Sequence, residues 1–423
     1  MNKRLFVIAL ITLLSLTLLT PVLAQDSGDI TLRWRTRPDN QEEADVYQAI
    51  SDAIDAEWDG VTLRYEAGGT ETAGYQDTLI TEIEAGTAPD VFWIPGTDIA
   101  RFAEAGLILN LAEYAAADED FSVEDFVEQP MFHLTFSQDG EPALWGLPRD
   151  VSSFAIYYNI DLFDQAGIDY PGGENWDWEA FREAAEEITA LGGDIRGFGM
   201  NNWWANYGYW LNAAGSSFFT EDLRSCGLDN ENTVVALEFL SSLYKDGLAV
   251  PYGEDAEGPF RAGNVGMFIN GRWATPGMTQ VDFNWNVAEL PAGPAGQSNW
   301  VFWGAYVVNA KTEHPEEAWE LLTRLTSPEV QGQVAALGAN IPSRVSEEAL
   351  EVFLNTFPEL GLNNQAFLNG LSYGVPETPV WFGSWSDIDN AYFNGVAEVI
   401  NGDLSPQEFA DTICTEVDQF FEE

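Results

Sequence analysis

Residues 30–35 alternate apolar and polar side chains as a half-buried strand does. Tyr47, Ile50, Ile54 and Trp58 then recur three and four apart, the spacing of an amphipathic helix, up to Gly60. Val61, Leu63 and Tyr65 alternate again, residues 75–85 read as a helix closed by Gly86, and residues 90–93 as a short buried strand. This βαβαβ opening is the signature of an α/β sheet wrapped by helices. A second unit starts near Gly146, with a strand over 154–158 and a helix over 178–191 that Gly192 and Gly193 stop. Asn230 caps a further helix that runs to Lys245 and ends at Gly247. Residues 265–269 and 285–290 read as strands, 291–298 as a breaker loop, and 301–309 as a strand, followed by a helix with Pro315 at its first position. No internal repeat or low-complexity tract interrupts the pattern. Two α/β lobes account for the chain.

The N-terminal stretch does not belong to that pattern. Lys3 and Arg4 precede an apolar run over 5–19, and Val22, Leu23 and Ala24 form a small-residue cleavage site, so residues 1–24 are expected to be a secretory signal peptide and Gln25 the new N-terminus. The run is short for a membrane anchor. No cysteine lies near the site, so no lipid anchor through an N-terminal Cys is expected. The expected destination is periplasmic or extracellular. The two cysteines, Cys226 and Cys414, either pair in that oxidising compartment or stay as two buried thiols, and their separation offers no zinc spacing.

Composition narrows the function. The 423 residues carry 17 Lys+Arg against 69 Asp+Glu, a formal charge of −52, with Lys3, Lys245 and Lys311 the lysines. No cationic face exists to neutralise phosphates, which excludes nucleic acid and argues against an anionic lipid surface. The 46% hydrophobic and 13% aromatic content is that of a folded protein despite the charge. Catalytic motifs are scarce. His133 and His314 have no partner histidine at ligand spacing, and G-x-S-x-G, the phosphate-binding loop and G-x-G-x-x-G are all missing. Close carboxylate pairs are inevitable among 69 acids and so carry no information. Asp118 with Asp120, and Asp387 with Asp389, lack the twelve-residue calcium loop. No cofactor and no metal are expected.

Sixteen tryptophans stand out, with Trp93, Trp203, Trp204, Trp273, Trp300, Trp303, Trp381 and Trp385 at loops near strand ends. An indole offers a flat apolar face for the C–H face of a sugar and an N–H to donate. Any one of them could equally be core filling.

An ordered set of segments is recognisable: APDVFW at 88–93, WGLP at 145–148, YNIDLFDQAG at 158–167, FRAGNVGM at 260–267, NGRW at 270–273, PEEAW at 315–319, TSPE at 326–329 and IPSR at 341–344. In that order the chain resembles the family 1 extracellular solute-binding proteins, the sugar-type receptors of ABC importers that include maltose-binding protein. The resemblance implies a two-lobed periplasmic-binding-protein fold, type II-like, with the ligand in the cleft between lobes. It implies lobe one at 29–147 and 291–327 and lobe two at 148–290 and 328–423, with hinge crossings near 146–148, 290–291 and 326–328. Both cysteines then share lobe two. It further implies a monomeric, non-enzymatic receptor that delivers a mono- or oligosaccharide to a membrane permease. The alternatives are the same role for a polyamine, glycerol phosphate, metal or peptide, or a secreted glycoside hydrolase.

Ligand positions of that family map onto Trp93, Thr97 and Asp98 after the third strand, Asp150 and Ser152 in the hinge segment, and Trp203 with Trp204. They map further onto Trp273, Trp303 with Gly304, and, with loose register, Trp381 to Trp385. Arg35 and Arg37 in the first-strand loop either grip an anionic group of the ligand or pair with local acids.

Overall fold

The computed structural model describes residues 30–421 except 39, 70–71 and 138–139, so the expected signal segment and the cleavage before Gln25 lie outside the described residues. Leu32, Trp34 and Thr36 are fully buried on one face of β1 (Ile30–Thr36). Asn40 starts helix Gln41–Glu57 by accepting the Glu43 N–H at 3.0 Å, and Tyr47, Ile50 and Ile54 bury the helix face. β2 (Val61–Ala67) then runs parallel to β1, and after helix Thr72–Ala85 β3 (Val91–Pro95) pairs with β1 on its other side.

β4 (Leu147–Ser152) and β5 (Phe154–Asn159) are separated by Ser153 alone and belong to different sheets. β6 (Arg196–Met200), β7 (Val265–Gly271) and β8 (Trp285–Ala288) join β5, whereas β9 (Asn299–Val308), β10 (Ile341–Pro342) and β11 (Gly374–Pro376) return to the first sheet. The first sheet has the order β10-β4-β9-β3-β1-β2 with β11 also on β9, and the second β6-β7-β5-β8. Helices wrap both, which gives the two-lobed α/β architecture. Buried apolar side chains form two clusters, one holding Trp34, Phe92 and Tyr306 and the other Phe198, Trp210 and Tyr392. Cys226 is joined by a disulfide to Cys414 on helix Pro406–Val417, within the second cluster.

Helix starts follow the sequence closely. Asn230 accepts the N–H groups of Asn232 and Thr233 ahead of helix Glu231–Lys245, and Pro315 opens helix Pro315–Leu325. The chain changes sheets at Ser153, five residues beyond the expected crossing at 146–148. At that point Asn299 clamps the Phe154 backbone, accepting its N–H at 2.9 Å and donating to its carbonyl at 2.8 Å. After residue 327 the chain stays beside the first sheet as far as β11, because β10 pairs with β4 and β11 with β9.

Candidate functional site

A cavity of about 550 Å³ opens between the two sheets. Its first wall grows from β3, β9 and β4. Pro95 lies opposite Gly304 at the end of the β3–β9 pair, and Trp93 is buried at 7% exposure. A Cβ on Gly304 would strike the Trp93 indole, and a Cβ on Gly96 the Trp303 ring, so each indole lies flat on a glycine. The β4–β9 register slips between Pro148 and Asp150. That bulge holds Arg149, whose Nε donates to Asp150 at 2.7 Å, whose Nη1 donates to Thr36 Oγ1 at 2.9 Å, and whose guanidinium lies 4.8 Å over Trp93. Arg37 lies 5.3 Å from the same ring. Burial opposes the Arg149 charge, but Asp150, Tyr47, Tyr306 and Glu43 outweigh it and hold its pKa above the ordinary value.

The second wall comes from the other sheet. Trp203 sits at the N-cap of helix Trp204–Ala214, half-buried, its ring stacked 5.7 Å from Phe302. Trp273, in the turn after β7, folds back over Gly271 and meets Phe302 edge-on at 5.1 Å, also half-buried. Glu257 and Asn340 also line the cavity. Burial raises the Glu257 pKa, Arg261 lowers it and Asp255 adds to the rise.

The cavity thus brings together Arg37, Trp93, Asp150, Ser152, Trp203, Trp273, Trp303 and Gly304. Six expected residues lie elsewhere. Arg35 is held between Glu66 at 2.8 Å and Glu82 at 2.6 Å, pairing with local acids. Asp98 pairs with Arg101 at 2.7 Å and accepts from Gln76 at 3.1 Å. Trp204 (9% exposed), Thr97 and Trp385 line a separate cavity of about 30 Å³, with Trp204 edge-on to Trp300 at 5.1 Å. Trp381 is buried at 2% exposure against Phe136.

Sequence reasoning passed over Arg149, Glu257, Phe302, Asn340 and Glu377, which also line the cavity. The one signal for Arg149 was its position beside Asp150 in a chain with few cations. Glu377 is 7% exposed, and burial pushes its carboxyl up to about 8. His133 lies parallel to the Trp303 ring at 6.1 Å and is buried with its ring nitrogens unbonded, and burial lowers its pKa to about 4. Among the described residues no group of three or more His, Cys, Asp or Glu is placed to hold a metal ion, and no helix is long and apolar enough to cross a membrane.

Residues 40–332 match the sequence profile of a family described as bacterial extracellular solute-binding protein. A binding protein of Brucella abortus is 27% identical over 358 residues, covering 81% of this chain and 83% of that protein. The galactooligosaccharide-binding protein of Bacillus subtilis is 26% identical over 253 residues, 57% of each chain. Among solved structures, an ABC substrate-binding protein of Listeria monocytogenes in complex with cycloalternan superposes with a TM-score of 0.81 at 21% identity, over 92% of this chain and 98% of that one.

Proposed function

The chain belongs to the bacterial extracellular solute-binding proteins, and on that premise we propose that it captures a carbohydrate between its lobes and delivers it to the permease of an ABC transporter. The observation that carries this reading is the facing of the cavity's two walls. Two half-buried indoles, Trp203 and Trp273, stand on one side, and polar groups of Asp150, Arg37 and Glu377 on the other. Flat apolar faces opposed to hydrogen-bonding groups match a sugar ring, which has an apolar C–H face and a polar rim. The names of relatives that bind a galactooligosaccharide and cycloalternan support the same ligand class. The polyamine and metal alternatives gain no comparable support, since Asp150 is paired with Arg149 and Glu257 with Arg261.

The reading includes export without a lipid anchor, a monomer, and release of ligand unchanged. The lobes move as two bodies, and the expected division of 29–147 with 291–327, and 148–290 with 328–423, is drawn with one change. Residues 148–152 and 328–377 go with lobe one, because β4, β10 and β11 pair in the first sheet and Glu377 continues the pairing of β11 with β9.

A thermal-shift and calorimetric screen of maltose, maltotriose, galactotriose and arabinotriose tests the proposal. A sugar present at ten times its Kd is expected to add about 1.4 kcal/mol to stability. It should also shrink the radius of gyration in small-angle scattering as the lobes close. Failure of every sugar to stabilise the protein discards the ligand class, and steady release of reducing ends discards the receptor role.

A further inference from the structure

Glu377 follows β11 and continues its pairing with β9. Its N–H donates to the Val301 carbonyl at 2.9 Å, and its own carbonyl accepts the Trp303 indole N–H at 2.8 Å. The carboxyl is therefore carried on a fixed backbone into the wall of the main cavity. Oε2 accepts the Trp303 backbone N–H at 3.3 Å, and among the described residues no hydrogen bond reaches Oε1 and no ion pair includes Glu377. The charged and titratable groups around it give no relief. Asp98, after β3, adds a like charge, although Arg101 pairs with it. His133, behind Trp303, is kept neutral by burial. In the rest of the cavity Arg149 is engaged by Asp150 and lies with Arg37 at the Trp93 ring, and Glu257 pairs with Arg261. A carboxylate buried without a cation is disfavoured against its neutral acid.

We propose that Glu377 is protonated in the cleft and donates its O–H to a hydroxyl or ring oxygen of the bound sugar, which makes it the residue that selects an uncharged acceptor. This rests on the sugar-receptor reading above. The charges in the cavity fit an uncharged ligand: Arg149 is paired with Asp150 and Glu257 with Arg261, and a neutral Glu377 adds no charge. A uronate or phosphate would meet Arg149 already paired with Asp150, and it would meet repulsion once Glu377 ionises.

The sign of the pH effect follows. The folded carboxyl titrates near 8 instead of 4.5, so the donating form is present at neutral pH and is lost as pH rises through that value. Affinity scales with the competent fraction, so Kd should rise by at least about tenfold between pH 7 and pH 9.5. The experiment is calorimetric titration with the tightest binder among maltotriose, galactotriose and arabinotriose, across that range, on wild type and Glu377→Gln. The amide cannot ionise and still donates an N–H, so E377Q should bind at pH 7 and keep its Kd within about twofold to pH 9.5. Tight binding with a flat wild-type profile overturns the inference alone, and so does a parallel rise in both proteins. Loss of binding by folded E377Q at pH 7 also overturns it. A wild-type protein that binds none of these sugars at pH 7 overturns the receptor reading with it. Where E377Q does not fold, the carbon-13 shift of the wild-type carboxyl gives the answer. Its midpoint should lie near 8 and move up with bound sugar, and a midpoint in the ordinary carboxylate range refutes the assignment.

Discussion

Trp273→Ala and Trp203→Ala are each expected to weaken sugar binding by roughly thirtyfold, while Trp204→Ala leaves binding close to normal and destabilises the fold. The three indoles belong to one aromatic group, so sequence position does not separate their roles; exposure and cavity do. Trp203 and Trp273 are half-buried in the wall of the large cavity. One face of Trp273 rests on Gly271 and one face of Trp203 on Phe302, and both rings line the cavity. Truncating a stacked aromatic in a desolvated pocket costs about 2 kcal/mol, and 1.4 kcal/mol is tenfold in Kd. Trp204 is 9% exposed among Trp300, Phe218 and Trp385; it packs edge-on against Trp203 at 5.2 Å but does not itself line the cavity. Its loss opens a void in the lobe, at a cost of about 3–5 kcal/mol in unfolding. Calorimetry and melting curves on the same three variants decide the matter. If Trp273→Ala binds as wild type but melts early, its indole is a packing residue and the stacking wall is misassigned.

Much of this was legible because two signals coincide in the sequence: the period of apolar residues and the turn chemistry at element ends. Asn230 caps a helix, and the alternation at Leu32 and Trp34 marks a core face, since each effect is local. β4 was not legible. Pro148, Arg149 and Asp150 break the alternation, and the slip in register that seats Arg149 exists only when β9 is alongside. The site divided for the same reason. Arg35 lies in β1 and Arg37 just past its end, and the two share a composition argument. Arg35 meets Glu66 and Glu82, while Arg37 reaches the cavity and the Trp93 ring. Trp381 looked like Trp273 in sequence, yet Phe136 and Trp145, far away in the chain, bury it. Glu377 gives no local sign at all. Its character comes from burial and from β9, through contacts that span more than seventy residues.

Arg149 carries the largest expected loss of stability at the cleft, and its variant separates holding the wall from touching the ligand. The Arg149 and Asp150 side chains are only 10% and 11% exposed and 2.7 Å apart. Arg149→Met keeps the length of the side chain and its contact with Trp93 but takes from Asp150 the guanidinium beside it. Breaking one partner of a buried pair costs about 3–5 kcal/mol, because the remaining charge has been taken out of water. The double variant Arg149→Met with Asp150→Leu removes both charges and is expected to recover most of that loss, as replacement of a whole buried pair by apolar groups is often neutral. Denaturant unfolding of wild type, both single variants and the double closes the cycle and gives the coupling directly. Binding follows a different pattern. The double variant still lacks the cation over Trp93 and the Asp150 carboxylate in the wall, so it should be stable and yet bind sugar poorly. A single variant as stable as wild type would mean that Arg149 holds nothing in place, and its guanidinium would then belong with Arg37 among the groups offered to the ligand.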